Sequence, residues 1–216
     1  MQAALHLFLI AFTWALYFGA HSWLASERCK AWLAKRLPDL QPAYRVTYNL
    51  LALIFLIPPG LLTLVYPGRE LWRWPGLLGW LADGLALAAL AGFVWSLRYY
   101  DGLSFLGIRQ WRSRGAAEDT AERFIVSPLH RYVRHPWYFF MLVVLWTRDM
   151  SAGGLTFAVV TTLYLALASR WEEEKLLVRY GEPYRRYQGQ VGRLVPLPRR
   201  ILSREAMHEL QNGKTK

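Results

Sequence analysis

LLGWLADGLALAALAGFVWSL, Leu77 to Leu97, decides the fold class. It is an unbroken apolar run with a single charge, Asp83. A hydrocarbon core of ~30 Å takes roughly 20 apolar residues as helix, so this run is long enough to cross a membrane. Toward the N-terminus, Leu5 to Leu24 and Val46 to Tyr66 meet the same requirement. Toward the C-terminus, Trp137 to Ser169 is apolar but interrupted by Thr147-Arg148-Asp149 and Gly153-Gly154. That stretch reads as a helical hairpin with a polar turn. Its first arm, Trp137 to Thr147, is short for a full span. The expected fold is all-α: a polytopic integral membrane protein of about five transmembrane helices, the last two forming the hairpin, with short cytosolic C-terminal helices.

The composition agrees. Eleven Trp, twelve Tyr and ten Phe in 216 residues suit a chain whose aromatic rings settle at the headgroup level. The net charge of +11 raises the question of nucleic acid. The basic residues, however, lie between apolar runs rather than along one helix face, so no nucleic-acid partner is expected and membrane lipid is. The first basic residue, Arg28, follows the first apolar run, whereas a signal peptide carries its charge in front. The first run is therefore expected to be a retained span. Five crossings place the termini on opposite sides. With the N-terminus outside, segments 26–45, 98–136 and 170–216 face the cytosol and hold 5, 7 and 11 of the 26 Lys and Arg residues. Only Arg69, Arg73 and Arg148 remain outside, as the positive-inside rule requires.

Several features inside this plan have two readings. Pro58-Pro59-Gly60 interrupts the second span and is either a kink opening a cavity or a packing kink. Asp83 is an intramembrane acid close enough to the outer interface to reach it. Cys29 is a lone cysteine, read as an inert loop thiol. Residues 112–123 read as a flexible cytosolic loop. One membrane-embedded domain is expected over 1–198, with acceptor-side helices at about 5–97 and a cofactor half at about 127–198. The 199–216 tail reads as polar, cytosolic and frayed, with a short surface helix available at Ile201 to Leu210.

Many chemistries are missing from the sequence. There is no GxGxxG after a strand, no P-loop and no HExxH. The five histidines, at 6, 21, 130, 135 and 208, form no metal-spaced pair, and no two helices carry them at the matched depths a haem pair needs. No metal is expected. A dense polar cluster remains at the ends of the last two spans. In Leu129-His130-Arg131-Tyr132-Val133-Arg134-His135-Pro136-Trp137-Tyr138, Pro136 is placed as a first helical residue and holds His135 extended. The helix N-terminus with Arg134 and His135 is either an anchor for a carboxylate or a positively charged membrane anchor. Glu172, Glu173 and Glu174 run against the local basic bias. They suit a cation, ribose hydroxyls, or salt bridges to Arg131 and Arg134 that hold the helix ends together. In Tyr180-Gly181-Glu182-Pro183-Tyr184-Arg185-Arg186-Tyr187, Gly181 ends one helix and Pro183 begins the next, with Tyr184 and Tyr187 on one face.

In this order, Arg134-His135-Pro136-x-Tyr138, a hairpin, Glu172-Glu173-x-x-Leu176 and Gly181-x-x-Tyr184-x-x-Tyr187 resemble the isoprenylcysteine carboxyl methyltransferase superfamily. Upstream, His21-Ser22-Trp23-Leu24-Ala25, Tyr44-Arg45, Tyr48-Asn49 and Phe105-Leu106-Gly107 are similar to its NnrU-type and methanethiol S-methyltransferase branch. So are Trp146, Met150, Gly153, Leu155, Phe157, Thr162 and Tyr164 in the hairpin. The likeness covers about residues 10–198. It departs at Phe140, where a small residue is usual, at Val191-Gly192, where Val-Pro is common, and in an additional N-terminal span of the methanethiol enzymes.

The resemblance implies an integral-membrane methyltransferase of the bacterial inner membrane with a cytosolic site for S-adenosyl-L-methionine. His135, Tyr138 and the backbone near Tyr132 and Val133 would hold the cofactor. Glu172 or Glu173 would take its ribose or amino group, and Tyr184 and Tyr187 would close over it. Arg134 and Glu173 are the catalytic candidates. His21, Arg45, Asn49 and Trp95 would shape entry of a small thiol or lipophilic acceptor, with Arg45 lowering a thiol's pKa. Transfer from a sulfonium is an in-line displacement that depends on alignment and exclusion of water. The alternative is a non-catalytic NnrU-type membrane protein linked to nitrogen-oxide metabolism.

Overall fold

The computed structural model describes residues 1–114 and 127–211. Ten α-helices and one short ribbon are defined among them. Three long helices are α1 (Gln2–Leu24), α3 (Tyr44–Val65) and α4 (Gly76–Ser96), each ending within about three residues of the apolar run that predicts it. Helices α2 (Glu27–Arg36), α5 (Gly102–Leu106) and α6 (Ile108–Arg112) are short connectors. Helix α7 (Pro136–Trp146) and helix α8 (Ala152–Tyr180) form the expected last pair, followed by α9 (Glu182–Gln190) and α10 (Arg204–Gln211).

Four helical stretches are long and apolar enough to cross a membrane: Gln2–Leu24, Pro38–Val65, Gly76–Tyr99 and Ala152–Tyr180. Helix α7 has 11 residues, about 16 Å at 1.5 Å each, which is half a hydrocarbon core. The protein is thus a mostly helical membrane protein, with four helical stretches among the described residues long enough to span. The pure all-α expectation needs one correction. Strand β1 (Glu70–Trp72) pairs antiparallel with β2 (Met150–Ser151), because the two polar turns that interrupt the apolar runs satisfy each other's backbone.

The chain divides into two compact units. The first comprises 1–73, 101–121 and 149–164. In it, Trp14 donates its indole N–H to Thr63 Oγ1 at 2.9 Å and stacks on Phe157 at 4.2 Å. Thr63 in turn bonds the Pro59 carbonyl at 2.9 Å. Helix α3 continues through Pro58 and Pro59, and Pro59 is buried. Pro59 is thereby tied through Thr63 to Trp14 of α1, while Pro58 is exposed. Gly153 lets α8 start close to the end of α3: a Cβ there would lie 2.9 Å from the Tyr66 carbonyl oxygen. Cys29 sits in α2 rather than in a loop, buried beneath the Tyr44 hydroxyl.

The second unit comprises 74–100, 122–148 and 165–216. Helices α4 and α7 pack along each other. Trp137 donates to Ser96 Oγ at 2.8 Å and packs on Phe93 and Tyr100. Phe140 lies on Gly92, whose absent side chain makes the room: a Cβ there would be 2.7 Å from the ring. The bulky residue at 140 is thus absorbed by helix packing. Asp83 pairs with Arg148 at 2.8 Å, both half-exposed, as its reach toward the interface suggested. Among the described residues of the tail, α10 forms where the short helix at Ile201 to Leu210 was available, but it is packed down rather than free on the surface. Leu202 and Met207 are buried with Tyr184, Tyr187 and Val191, because α10 is amphipathic and α9 offers an aromatic face. Residues 115–123 of the expected loop lie outside the described residues, while Arg112 ends α6.

Candidate active site

The polar cluster of the second unit is built on α8, whose last three turns project beyond its apolar part, and on the start of α7. Pro136 is the first helical residue of α7, so the missing N–H costs nothing there and His135 stays outside the helix. The residues before it run extended beside 192–193. Arg134 N donates to the Gly192 carbonyl at 2.8 Å and His135 N to the Arg193 carbonyl at 3.1 Å. Gly192 is required by the turn that follows it, since a Cβ would stand 2.3 Å from the Val195 carbonyl oxygen. This explains why glycine occupies the position after Val191.

Glu173 sits at the centre. Its Oε1 accepts from Arg134 Nε at 2.7 Å and from His135 Nε2 at 3.1 Å. Its Oε2 accepts from Arg134 Nη2 and Gln188 Nε2, both at 3.1 Å. The remaining Arg134 nitrogen, Nη1, donates to the Gln188 and Val191 carbonyls at 2.8 and 2.5 Å. The side chains are 10% and 7% exposed for Arg134 and Glu173. These two residues are therefore committed to each other and to α9, and neither presents a free polar edge.

The open edge belongs to Glu172. Its side chain is 51% exposed, with Oε2 3.4 Å from His135 Nδ1 and 3.4 Å from the Tyr138 hydroxyl. His135 is buried and stacked on Tyr138 at 5.2 Å. Burial opposes charge on His135, but the hydrogen bonds and charges of Glu172 and Glu173 outweigh it and raise its pKa above the ordinary value. With Nε2 3.1 Å from Glu173 and Nδ1 3.4 Å from Glu172, the ring sits between two carboxylates, a setting that favours the imidazolium. The site thus presents an exposed carboxylate braced by the buried His135 ring and flanked by Tyr138, while the exposed Tyr132 ring has the Arg131 guanidinium 5.5 Å over it. Val133 is buried in the bridge to Gly192.

Tyr184 and Tyr187 are placed differently from the expected lid. Each is 1% exposed, within the cluster closed by Leu202 and Met207. Tyr187 donates to the His130 carbonyl at 2.8 Å. Burial raises both phenol pKa values. They form the floor under the polar cluster. Gln188 was not singled out from sequence, and no motif marks it. Ser127-x-x-His130, by contrast, carries a capping-box spacing that the sequence displays.

The expected acceptor residues fall in both units. In the first, His21 Nε2 is 2.9 Å from the Tyr48 hydroxyl, and Ser22 Oγ is 3.1 Å from the Tyr164 hydroxyl. Arg45 donates to the Ser104 carbonyl at 3.0 Å, and Asn49 donates to the Leu106 carbonyl at 3.2 Å. Gly107, at φ +83°, ends α5 so close to Arg45 that a Cβ would lie 2.6 Å from the Arg45 Cβ. Arg45 and Asn49 thus hold the Phe105-Leu106-Gly107 turn. Trp95 belongs to the second unit, with the Arg98 guanidinium 4.8 Å over its ring.

Long apolar helices carrying one buried ionic cluster define the chain as a helical integral membrane protein. Comparison with known proteins gives its family. No known family model and no solved structure matches it. It is 35% identical over 195 residues to the methanethiol S-methyltransferase of a Pseudomonas species, which spans 84% of this chain and 70% of that protein. It is 30% identical over 196 residues to the Mycobacterium tuberculosis protein of the same name, 83% and 74% of the two chains. Nurim of Homo sapiens is 29% identical over 176 residues, 74% and 64% of the two chains. The chain belongs to the methanethiol S-methyltransferase family, within the isoprenylcysteine carboxyl methyltransferase-like superfamily.

Proposed function

We propose that this protein is a membrane methyltransferase that uses S-adenosyl-L-methionine and methylates a small thiol. The observation that carries the reading is the Glu172 edge: a half-exposed carboxylate held against the His135 imidazolium and the Tyr138 hydroxyl. The donor set fits the cofactor. Glu172 supplies an acceptor for ribose hydroxyls or an ammonium group. Tyr132 and Tyr138 supply aromatic faces, whose attraction for a sulfonium is worth roughly 0.5–2 kcal/mol each. When bound, the cofactor supplies an electrophilic methyl group.

In this reading His135 and Glu172 bind and orient, while Arg134 and Glu173 position His135 and α9. The thiol acceptor is taken from the names of the relatives and from a setting that suits an apolar nucleophile. Methylation of a thiol at sulfur releases its hydrogen as a proton, which leaves to solvent. Charge distribution supports a cytosolic site with the N-terminus outside, and hence an inner-membrane location with α7 completing a fifth crossing.

The test is calorimetric binding of S-adenosylhomocysteine to the purified protein, together with transfer of radiolabelled methyl to methanethiol. Binding with transfer is expected. A protein that binds no S-adenosylhomocysteine refutes the reading and leaves the non-catalytic NnrU-type role.

A further inference from the structure

The chain between α9 and α10 carries charge and exposed apolar surface side by side. From Arg193 to Arg204 it reads Arg-Leu-Val-Pro-Leu-Pro-Arg-Arg-Ile-Leu-Ser-Arg, and no acid lies between Glu182 and Glu205. Val195, Leu197 and Ile201 are 55%, 42% and 48% exposed. Only Leu202 turns inward, into the cluster with Tyr184 and Tyr187. Arg199 and Arg200 are exposed and Arg193 is half-buried. No ion pair among the described residues takes any of these three. Arg204 has Glu205 beside it.

Hydrogen bonds within the second unit fix the height of this strap against a span. Gly76–Tyr99 is long and apolar enough to cross a membrane, and Ser96 lies near its end. Trp137 donates to Ser96 Oγ at 2.8 Å, which sets the start of α7 level with that end. Two residues before Trp137, His135 N donates to the Arg193 carbonyl at 3.1 Å. At the far end of the strap, Leu202 N donates to the Arg131 carbonyl at 2.9 Å, and Arg131 Nε donates back to the Leu202 carbonyl at 2.8 Å. Both ends are thus tied to the chain that enters α7, at the level where hydrocarbon gives way to headgroups. The backbone suits that level. Pro196 and Pro198 have no N–H to strip of water, and Arg200 N donates to the Leu197 carbonyl at 2.8 Å.

We propose that residues 193–204 form an interfacial strap that binds anionic phospholipid. Val195, Leu197 and Ile201 enter the acyl boundary, and Arg193, Arg199 and Arg200 hold headgroup phosphates. Charge complementarity selects the partner. A guanidinium takes a phosphate through two parallel hydrogen bonds, and each arginine near an anionic surface adds to the attraction. A zwitterionic lipid offers the phosphate without the net charge. An acidic soluble protein matches the arginines, but its contact surface is not found at the end of a membrane span, where the three apolar side chains stand. The side chains of Glu172, His135 and Tyr138 take no part, so the strap holds lipid whether or not a cofactor is bound.

The experiment uses the full chain and two readouts. In detergent, thermal unfolding is followed on adding phosphatidylglycerol, phosphatidylcholine or inorganic phosphate. Phosphatidylglycerol should raise Tm by ~5 °C at saturation and the other two should not. The double variant Arg199→Gln, Arg200→Gln should keep the lipid-free Tm, since neither side chain is paired, and lose most of the rise. In bilayers containing phosphatidylglycerol, a nitroxide is carried on Leu197→Cys, the native Cys29 being buried. It should collide with oxygen more than with a water-soluble nickel chelate. Equal rises with both lipids, or a rise that the double variant keeps in full, overturn the strap. A nitroxide that meets the nickel chelate more than oxygen also overturns it and leaves the arginines to an acidic soluble partner.

Discussion

Glu172→Gln and Glu173→Gln, adjacent substitutions of the same kind, should behave oppositely. Glu173 accepts four hydrogen bonds, three of them from Arg134 and His135. Glutamine keeps one acceptor oxygen and turns the other position into a donor that faces Arg134 Nη2 or Gln188 Nε2. A guanidinium only 10% exposed is then left without its counter-charge. Breaking such a buried pair costs about 3–5 kcal/mol. The oxygen that survives retains part of the network, which places the cost near the lower figure. For a chain of this size each kcal/mol shifts Tm by about 2–4 °C, so Glu173→Gln should lower Tm by about 6–12 °C. Glu172 makes only two long contacts and is half in solvent, so Glu172→Gln should stay within about 1 kcal/mol. The assay is thermal unfolding in detergent followed by tryptophan fluorescence, beside calorimetry with S-adenosylhomocysteine. Glu172→Gln is expected to keep its Tm and lose at least 10-fold in affinity. If Glu172→Gln melts as early as Glu173→Gln, or if Glu173→Gln melts with the wild type, the division between an open carboxylate and a buried brace is wrong.

The His135 pKa is raised on folding, so its ionic bonds stabilise fully below its unfolded value of about 6.5 and are lost as pH rises through the folded value. Tm should therefore fall across the range from pH 6.5 upward, and His135→Gln should flatten that dependence in the same fluorescence assay. Gly192→Ala should destabilise by about 1–3 kcal/mol through the contact with the Val195 carbonyl oxygen, while Gly189→Ala, in open space on α9, should be neutral or slightly stabilising by chemical denaturation. A double-mutant cycle on Asp83 and Arg148 should give a coupling below about 1 kcal/mol, because both side chains are half-exposed.

The spans could be read because a membrane helix is specified by local composition. Leu5–Leu24, Val46–Tyr66 and Leu77–Leu97 each recur within a few residues as a helix. The ribbon between Glu70–Trp72 and Met150–Ser151 could not, since a pairing across nearly eighty positions leaves no periodicity in so short a stretch. The site shows the same division. Arg134 reads from sequence either as an anion anchor or as a partner of the Glu172–Glu174 acids, and nothing in a sequence decides that Glu173 takes it or shows that the Gln188 and Val191 carbonyls take the remaining nitrogen. Tyr184 and Tyr187 were correctly set on one face of α9, but helical spacing does not say whether that face meets ligand or core. Leu202 and Met207, in a segment that reads as polar tail, decide that it is core.

The recurrence of three motifs in a fixed order has a physical cause in this unit. Arg134 reaches Glu173 on α8 and the last turn of α9, and the backbone of Arg134 and His135 is paired to Gly192 and Arg193. Three chain segments that follow one another in sequence are thereby closed into one knot. The knot has two rows. The inner row, Arg134, Glu173 and Gln188, has its polar atoms turned on one another. The outer row, Glu172, the Nδ1 side of His135 and Tyr138, is the part assigned to the ligand in the proposed function. A motif built this way mixes scaffold and contact letter by letter, with Glu172 and Glu173 on opposite sides of the division. Loss of ligand binding in a motif variant therefore cannot by itself assign a contact role. An inner-row change removes binding by releasing His135 and α9, with a fall in Tm, whereas an outer-row change removes it from a knot that is still tied.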